Sequence, residues 1–304
     1  MIEVVGIGAA VFDILMTTDS FPKEDTKLQG IETKLQCGGP CATGLVAMSK
    51  LGVKSAYMGA LGDDMYGDHI RGAFDKYGVD RSKVRLVSGV QSFHSVVLIN
   101  TANSTRTCVW NRGTLQPPVA EDVDIDMLKQ AKFLHLDGHQ LDCAVFAAQK
   151  AKEFGVKVSL DAGGVYPGIE RLLPFVDVLI PSEEFALKIT GCDTAEAAAA
   201  FLWEKYQPET LIITQGSRGG FIWENGEAVR YPVFPVKAID SNGAGDTFHG
   251  AFVAARVKGM DVAQAAAFAS ATSALKCTRF GAQEGIPGYD EVLEFMQDNK
   301  GVIR

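Results

Sequence analysis

The chain lacks the features that would place it on a nucleic acid or in a membrane. Its 29 Lys and Arg residues are outnumbered by 37 Asp and Glu residues, the net charge is −8, and no basic run breaks this balance. An acidic chain of this kind is not expected to bind nucleic acid. No apolar stretch reaches the roughly 18 residues of a membrane span. The segment Met1–Val5 has no basic residue before its apolar ones, so we do not expect a signal peptide.

Cysteines are few, and their spacing fits neither a disulfide framework nor a zinc site. Cys37 and Cys41 lie close together, but no second pair at zinc spacing and no nearby histidine accompanies them. The five histidines show no metal-binding spacing either. We therefore expect reduced thiols in a cytoplasmic protein. The six cysteines are Cys37, Cys41, Cys108, Cys143, Cys192 and Cys277.

The order of the apolar runs predicts an α/β fold. From about residue 120 onwards, short apolar strands alternate with helical patterns, as in 133–137 followed by 143–154. This alternation predicts a mostly parallel sheet with helices on both faces. With 304 residues, of which 47% are hydrophobic, the chain can form one such domain over 1–304. Ligands of such sheets bind beyond the carboxyl ends of the strands. The groups expected at these ends are Asp13, Asp137, Asp161 and the loop at Gly216.

Two segments, at about 14–36 and 92–114, do not fit the alternation of strands and helices. The first is polar around a turn at 21–22, and the second alternates in hydrophobicity on both sides of a turn at 101–104. This pattern predicts strand pairs outside the main sheet. Together the two segments would form a small β-sheet lid inserted in the α/β core. Between them, residues 53–61 are expected to form one buried strand of the core.

The stretch 238–252 carries the clearest chemical signal. Its first half is small and glycine-rich, and its second half has apolar residues at helical spacing. A glycine-rich turn that enters a helix is an anion site, because the amides of the first turn are free and the helix dipole adds about half a positive charge. The carboxylate of Asp246 would repel an anion unless it takes part in the reaction. Asp246 can therefore accept a proton from a hydroxyl that attacks a bound phosphate, or it can simply cap the helix.

This stretch is one of four that stand in a fixed order along the chain: Gly38-Gly39, 214–219, 240–246 and 277–287. In this order and spacing they resemble the ribokinase or PfkB family of carbohydrate kinases. The resemblance covers essentially the whole chain and implies a ribokinase-like, three-layer α/β/α fold with a small β-sheet lid. It also implies ATP-dependent transfer of the γ-phosphate to a hydroxyl of a small sugar or sugar derivative. Pieces within these stretches look most similar to the sulfofructose kinase branch.

The resemblance implies a role for several positions of the catalytic and acceptor sites. The catalytic base corresponds to Asp246, whose carboxylate would take the proton of the attacking hydroxyl. The anion hole that holds the γ-phosphate corresponds to Gly243, Ala244 and Gly245. The positions implied to bind the sugar are Asp13, Gly38, Gly39, Thr43 and Asp137.

The nucleotide and cation positions also follow from the resemblance. ATP and Mg²⁺ are the implied cofactors, and a monovalent cation such as K⁺ binds in part of the family. Asp240 and Gly281 match that monovalent-cation site. Glu184, or its neighbour Glu183, is the candidate to order water around Mg²⁺. The implied nucleotide-binding positions are Ser182, Thr214, Gly216, Ser217, Gly219 and Ser273.

The chain departs from the family pattern at three places. Thr43 stands where the family has a sugar-binding Asn, which changes the contacts available to hydroxyl groups. Ser182 and Phe185 stand in place of the Asn and the Glu of an Asn-x-x-Glu motif near the nucleotide phosphates. The sulfofructose kinase branch uses an Arg after the strand that ends near Asp137, but residues 138–140 here are Gly, His and Gln.

The substrate and the class of protein have alternatives at this stage. Arg106 and Arg112 lie on the predicted lid and can meet an anionic substituent of a substrate, or they can be exposed surface charges. A nucleoside or vitamin-alcohol kinase of the same fold is the alternative enzyme, and a non-catalytic sugar-binding protein is the alternative outside enzymes. The acid at Asp246 argues against a pure binding protein, which gains nothing from a carboxylate that repels its ligand. The implied partners are a small sugar and a second copy of the chain, bound through the lid.

Overall fold

The computed structural model describes residues 1–103 and 105–302. The predicted single domain, 1–304, includes Ser104, Ile303 and Arg304, which lie outside the described residues. The strands form an eight-stranded sheet, a four-stranded sheet and a two-stranded ribbon. They are β1 (Val4–Ile7), β2 (Val11–Thr18), β3 (Glu32–Gly38), β4 (Ser55–Tyr57), β5 (Gly59–Gly62), β6 (Val84–Val87), β7 (His94–Asn100), β8 (Thr105–Asn111), β9 (Phe133–Leu136), β10 (Lys157–Ala162), β11 (Val178–Pro181), β12 (Thr210–Thr214), β13 (Gly220–Glu224) and β14 (Glu227–Arg230).

The helices begin where the sequence supplies capping residues. The side chains of Asp64, Ser182, Thr194 and Asp261 each accept a backbone N–H from the first turn that follows them, as N-caps do. The helices are α1 (Pro40–Lys50), α2 (Met65–Tyr77), α3 (Ile125–Gln130), α4 (Leu141–Phe154), α5 (Glu183–Thr190), α6 (Ala195–Tyr206), α7 (Ala244–Val257), α8 (Val262–Cys277) and α9 (Tyr289–Asp298).

The eight-stranded sheet is parallel except at one edge. Its order is β14-β13-β12-β11-β10-β9-β1-β4. The strands from β12 to β4 run parallel, while β13 and β14 form an antiparallel hairpin beside β12. The strand order reverses at β1, because β4 lies on one side of it and β9 on the other. Such a reversal leaves a crevice at the carboxyl ends of the two diverging strands, which is where ligands bind in folds of this type.

Helices cover both faces of this sheet. Helices α1, α2, α7, α8 and α9 pack on one face around buried residues such as Leu45 and Phe252. Helices α3, α4, α5 and α6 pack on the other face. The two layers meet the same strands from opposite sides, since Ile212 faces the first layer and its neighbour Ile213 the second. The predicted three-layer α/β/α fold is confirmed. None of the described helices is both long and apolar enough to cross a membrane.

The four-stranded sheet is the predicted lid. Its order is β3-β2-β7-β8, with β2 and β7 parallel and the outer strands antiparallel to them. The four strands account for most of the predicted segments at 14–36 and 92–114, but the first strand already begins at Val11. Residues 101–103 form the predicted turn between β7 and β8. Ser104, the last residue predicted in that turn, lies outside the described residues.

The prediction of one strand over 53–61 is wrong. Strand β4 pairs with β1 in the main sheet, whereas β5 pairs with β6 in the separate ribbon. The chain changes sheets at Gly59, which passes directly against the ring of Tyr57. A Cβ at Gly59 would lie 3.1 Å from the Tyr57 hydroxyl oxygen, so the crossing requires a residue without a side chain.

Residues 169–175 form a pair of 3₁₀ turns, Ile169–Arg171 and Leu173–Phe175, because Pro174 cannot donate the backbone hydrogen bond that a continuous helix needs. One further expectation, for Asp13, differs in detail. Asp13 is not at the carboxyl end of a main-sheet strand. It is the third residue of β2, since β1 ends at Ile7 and the chain enters the lid directly afterwards.

Candidate active site

The predicted phosphate-binding turn lies at the start of α7. Gly243 precedes the helix in the left-handed conformation (φ 75°), and its Cβ would lie 2.9 Å from that of Ala282. The N–H of Ala244 already donates to the carbonyl oxygen of Ser241 at 3.2 Å. The N–H of Gly245 has no acceptor inside the helix. A Cβ on Gly245 would meet no atom within 4 Å, so the turn is open there and an anion can approach it.

Asp246 is the third residue of α7 and is partly buried. Burial raises the pKa of its carboxyl group to about 6, and the negative charge of Asp137 acts in the same direction. The positive charges of Lys276 and Arg106 oppose this rise in pKa. At neutral pH the carboxylate is ionised but close to protonation, which suits a general base.

A pocket of about 420 Å³ opens beside this turn. One wall is apolar and includes Tyr231, Phe234 and Phe248, of which Tyr231 and Phe248 have ring centres 5.4 Å apart. The opposite end is the open turn of α7. A flat apolar wall that leads to an anion site fits the base and the phosphates of a nucleotide. The predicted residues that line this pocket are Thr214, Gly216, Ser217, Gly219, Ala244, Gly245 and Ser273.

Ser182 lies next to this pocket and does not line it. It caps α5 by accepting the N–H of Phe185 at 3.1 Å, and it forms a parallel bridge with Thr214 of the pocket wall. Phe185, at the position of the family's Glu, is buried in the core. These two departures therefore give the start of α5 a structural cap and an apolar anchor.

Glu183, rather than Glu184, reaches the loop after β12. Its carboxylate accepts a hydrogen bond from Nε2 of Gln215 at 2.7 Å and forms an ion pair with Arg218. Neither glutamate lines the pocket, but Glu184 is exposed whereas Glu183 contacts the loop that does line it. The expectation that Glu184 serves the nucleotide site therefore fits the structure less well than the alternative, Glu183.

Asp13 lies on β2 against the paired glycines. Its Oδ1 accepts a hydrogen bond from Oγ of Ser95 at 2.6 Å, and a Cβ on Gly38 would lie 2.5 Å from its Oδ2. A Cβ on Gly39 would lie 2.5 Å from the carbonyl oxygen of Ala9. Burial raises the pKa of Asp13 to about 6, and the Ser95 hydrogen bond opposes this rise. With only one side-chain donor bound to it, the carboxylate can still accept hydrogen bonds from sugar hydroxyls.

Asp137 is engaged with the backbone on both oxygens. Oδ2 accepts the N–H groups of Ala9 at 2.7 Å and Cys41 at 3.1 Å, and Oδ1 accepts that of His139 at 2.9 Å. Burial opposes ionisation, but the hydrogen bonds and the charge of His139 outweigh it and hold the pKa of Asp137 below its ordinary value. These contacts join the loop after β1, the start of α1 and the loop after β9, so Asp137 fixes the shape of the crevice.

The other predicted acceptor residues differ in exposure. Thr43 is completely buried in α1, and its hydroxyl finds no partner among the described residues. Arg106 is exposed on β8, yet its charge acts on the carboxylate in the first turn of α7. Arg112 follows β8, and its guanidinium carbon lies 5.8 Å from the ring centre of Trp110 and 6.0 Å from that of Phe93. These cation–π contacts hold Arg112 at the edge of the lid.

The predicted monovalent-cation position does not fit a metal ion. The carboxylate of Asp240 accepts the N–H groups of Asn242 at 2.8 Å and Gly281 at 2.9 Å, so Gly281 presents a donor rather than an oxygen ligand. Nζ of Lys276 donates to the carbonyl oxygen of Asp240 at 2.9 Å and lies 3.8 Å from its Oδ2. The ammonium group of Lys276 thus occupies the place beside the Asp240 oxygens that a metal ion would need.

Comparison with known proteins identifies the family. The family model described as "pfkB family carbohydrate kinase" matches residues 1–288. The chain belongs to the pfkB family. It is 31% identical to the ribokinase of Haemophilus influenzae, over 96% of this chain and 97% of that protein. It is 28% identical to the deoxyribokinase of Salmonella typhimurium, over 98% of this chain and 100% of that protein.

A solved relative shows the same fold over the whole length of this pfkB-family chain. The structure of Arabidopsis thaliana ribokinase complexed with ribose and ATP matches with a TM-score of 0.87 at 27% identity, over 98% of this chain and 99% of that chain. The predicted ribokinase-like fold and membership of the ribokinase or PfkB family are confirmed. The chain is an ATP-dependent carbohydrate kinase.

The site of this pfkB-family kinase also contains a buried pair that the sequence did not predict, although Asp161 was expected at the end of a strand. Nε2 of His249 lies 3.1 Å from Oδ1 of Asp161. Burial, with the charge of Asp246 in addition, raises the pKa of Asp161 well above its ordinary value, and burial lowers the pKa of His249 to about 3. Burial thus disfavours the charged form of both groups, and the pair ties α7 to the carboxyl end of β10. The one signal in the sequence was the spacing of His249, which follows Asp246 by three positions, because residues three apart share one helix face.

Proposed function

We propose that this pfkB-family kinase transfers the γ-phosphate of ATP to a hydroxyl of a small sugar, with Asp246 as the catalytic base. One observation carries the proposal: the carboxylate of Asp246 follows the open amide of Gly245 in a single helical turn, at the end of a pocket of nucleotide size. A base next to an anion site is the arrangement that transfer of a phosphoryl group to a hydroxyl requires. A residue that only capped the helix would need no such pocket.

The residues of the turn act on different atoms. Asp246 accepts the proton of the acceptor hydroxyl as its oxygen attacks, and a positioned base of this kind contributes about 10²–10⁴ in rate. The N–H of Gly245 and the positive end of the α7 dipole stabilise the charge that builds on the phosphate oxygens, which contributes about 10²–10³. Gly243 allows the sharp turn that brings both groups to the same place. The turn thus supplies both the base and the anion hole.

The pocket beside α7 is the proposed ATP site. Tyr231 and Phe248 lie on its apolar wall, which would contact the base, while the phosphates would extend to the open turn. Mg²⁺ that accompanies ATP neutralises phosphate charge when bound. Among the described residues, no group of three His, Cys, Asp or Glu side chains is placed so that it could hold a metal ion, so we assign the Mg²⁺ ligands to phosphate oxygens and water, as Mg²⁺ prefers. Glu183 is the better candidate than Glu184 to order that water.

The proposed acceptor is a sugar held by Asp13 and the paired glycines. A short buried carboxylate suits neighbouring hydroxyls, because each of its oxygens accepts directional hydrogen bonds. The relatives named ribokinase and deoxyribokinase make a pentose the first candidate. Arg106 and Arg112 on the lid would meet an anionic substituent, so a sugar with an acidic group is the second candidate.

A substrate panel tests this proposal. ADP release and phosphate transfer are measured with neutral pentoses and hexoses, sugar acids, sugar phosphates, nucleosides and hydroxymethyl pyrimidines. We expect turnover with one class of sugar and none with nucleosides or pyrimidine alcohols. Turnover with nucleosides alone would assign the chain to the alternative kinase class. Sugar binding without phosphate transfer would make it a non-catalytic sugar-binding protein.

The outer face of the lid supports a proposed homodimer. Ile14 pairs with Leu35 on one side and Val96 on the other, and Val96 pairs with Val109. Leu35, Val96 and Val109 are 53%, 42% and 70% exposed. A contiguous exposed apolar face of this kind marks an interaction surface, and a second lid has the matching chemistry. Light scattering should give the mass of two chains for the wild type and of one chain for Val109→Lys.

A further inference from the structure

A buried ammonium group lies behind the phosphate-binding turn. Lys276 belongs to α8, among small and apolar neighbours, and its side chain is 0% exposed. Its Nζ donates to the carbonyl oxygen of Asp240 at 2.9 Å and lies 3.8 Å from Oδ2 of the same residue. A buried ammonium is tolerated only beside negative charge and hydrogen-bond acceptors. Asp240 is therefore its counter-ion.

Asp240 in turn joins the chain before α7 to the chain after α8. Its carboxylate accepts the N–H of Asn242, just before the turn, and that of Gly281, beyond the end of α8. Its own N–H donates to the carbonyl oxygen of Cys277 at 3.1 Å. The ammonium of Lys276 thus supports the phosphate-binding turn from behind through Asp240, and Lys276 itself does not line the pocket beside that turn.

A monovalent metal ion at Asp240 would compete for the same atoms. The carbonyl oxygen of Asp240 is occupied by the ammonium of Lys276, and the N–H of Gly281 points its positive end at the carboxylate. A second cation beside a buried ammonium would be repelled strongly, because Coulomb interactions are weakly screened away from water. The amine also supplies the positive charge that an ion would bring. This charge favours the ionised form of the Asp246 carboxyl and so opposes the rise in its pKa that burial causes.

We propose that Lys276 takes the place of a monovalent metal ion at the phosphoryl-transfer site, so that this kinase needs no K⁺. Lys276 is a positioning residue, because it acts through Asp240 and the turn before α7. The inference rests on the proposed function for its kinetic test. Its thermal test does not depend on activity.

Two salts test the wild-type protein. Initial rates and thermal unfolding are compared in KCl and in tetramethylammonium chloride at equal ionic strength, so that general screening is the same in both. We expect kcat to differ by less than about 2-fold between the two salts, because general screening of the charges is matched, and Tm to be the same. A wild-type rate or Tm that rises to saturation with KCl would overturn the proposal, because it would reveal an open ion site.

Two substitutions separate charge from volume. Lys276→Ala removes the ammonium and leaves room for an ion, whereas Lys276→Met fills the space without charge. We expect both to lose at least about 10-fold in kcat, as expected for loss of preorganised positive charge, with little change in KM for ATP. Only Lys276→Ala should regain activity and Tm in KCl or NH₄Cl. An Ala variant that folds only in these salts supports the proposal as well.

Lys50→Ala is the matched control. Nζ of Lys50 donates to the carbonyl oxygens of Gln283 at 3.4 Å and Glu284 at 3.1 Å, close after Gly281 in the chain, but not to Asp240. We expect this variant to keep its kcat, and we expect its kcat and Tm to be unaffected by K⁺. A folded Lys276→Ala variant that responds to neither K⁺ nor NH₄⁺ overturns the proposal. If no sugar is phosphorylated at all, the proposed function fails, while the Tm comparison still decides the role of Lys276.

Discussion

The proposed phosphate-donor side and the proposed acceptor side of the crevice are built in different ways. On the donor side, the open amide and the proposed base are neighbours, Gly245 and Asp246, in the first turn of one helix. The adjacent helix α8 completes that side, since Oγ of Ser273 donates to the carbonyl oxygen of Ala244 at 2.8 Å. On the acceptor side, Asp13 comes from a lid strand and Gly38 from the strand that leads into α1. These groups meet because β2 and β3 pair in the lid sheet, although Asp13 and Gly38 are 25 positions apart in the chain.

This difference separates the chemistry of the protein from its specificity. Backbone amides at a helix terminus bind any phosphate, and their geometry depends on the helix rather than on particular side chains. On the proposed acceptor side, recognition also depends on side chains such as that of Asp13, and a change of such a side chain changes the hydroxyls or charges that can be bound. A change on the donor side should therefore affect kcat for every substrate, and a change on the acceptor side should affect KM for the sugar.

The largest effect is expected for Asp246→Asn. The amide cannot accept the proton, so kcat should fall by about 10²–10⁴, while affinity for ATP stays the same or improves because a like charge near the phosphates is removed. Single-turnover rates and ATP titration measure the two quantities. Asp161→Asn is the matched control in the same cluster, since its amide keeps the shape of the carboxyl group beside Nε2 of His249, and it should cost less than about 10-fold. Full activity of Asp246→Asn would refute the assigned base.

A smaller and different effect is expected for Asp13→Ala on the acceptor side. Hydrogen bonds to a charged group are worth about 1.5–3 kcal/mol, so KM for the sugar should rise by about 10²-fold while KM for ATP stays unchanged. Asp13→Asn keeps an oxygen that can accept from Ser95 and should show a smaller rise. Steady-state kinetics with each substrate varied in turn measures both values. A loss confined to kcat would place Asp13 with the catalytic groups instead.

The sequence predicted the turn and the helix of the proposed donor side because their signals are local. The turn 243–245 and its acid are contiguous in the chain, and the following helix shows in the spacing of its apolar residues. The bounds of helix α5, Glu183–Thr190, have local causes as well, because Ser182 caps its start and Gly191 ends it. A pattern of this kind needs no tertiary contact to be recognised.

The acceptor side and the buried cation could not be predicted in this way, because they depend on how distant segments meet. Asp13 follows a core strand in the sequence, but the chain enters the lid first. Asp137 matches a sugar contact, yet the structure turns it toward three backbone N–H groups. The sequence shows Lys276 as the single charged residue in a helix of mostly small residues, which is unusual. Its partner could not be found in this way, because Asp240 lies 36 positions away.

The pH dependence should report both sides of the crevice at once. Burial raises the pKa of Asp13 and of Asp246 to about 6, and both groups act in the ionised form. Protonation below pH 6 removes the base and an acceptor together, so kcat/KM for the sugar should fall on the acid side with a slope approaching two, about 100-fold per pH unit. Asp13→Asn should leave a slope of one. An acid limb that is identical in both proteins would show that Asp13 does not titrate in the reaction.

The smallest effect should distinguish the two lid arginines. The charge of Arg106 lowers the pKa of Asp246, so Arg106→Gln should shift the acid limb upward and lower the rate at pH 5.5 by up to about 2-fold, as for an exposed and screened charge. Arg112 is held over Trp110 and Phe93, so Arg112→Gln should leave the acid limb in place and raise KM only for acceptors with an anionic group. The Arg106 shift should fade at high salt because exposed charges are screened. Identical behaviour of the two variants would mean that the lid carries only general surface charge.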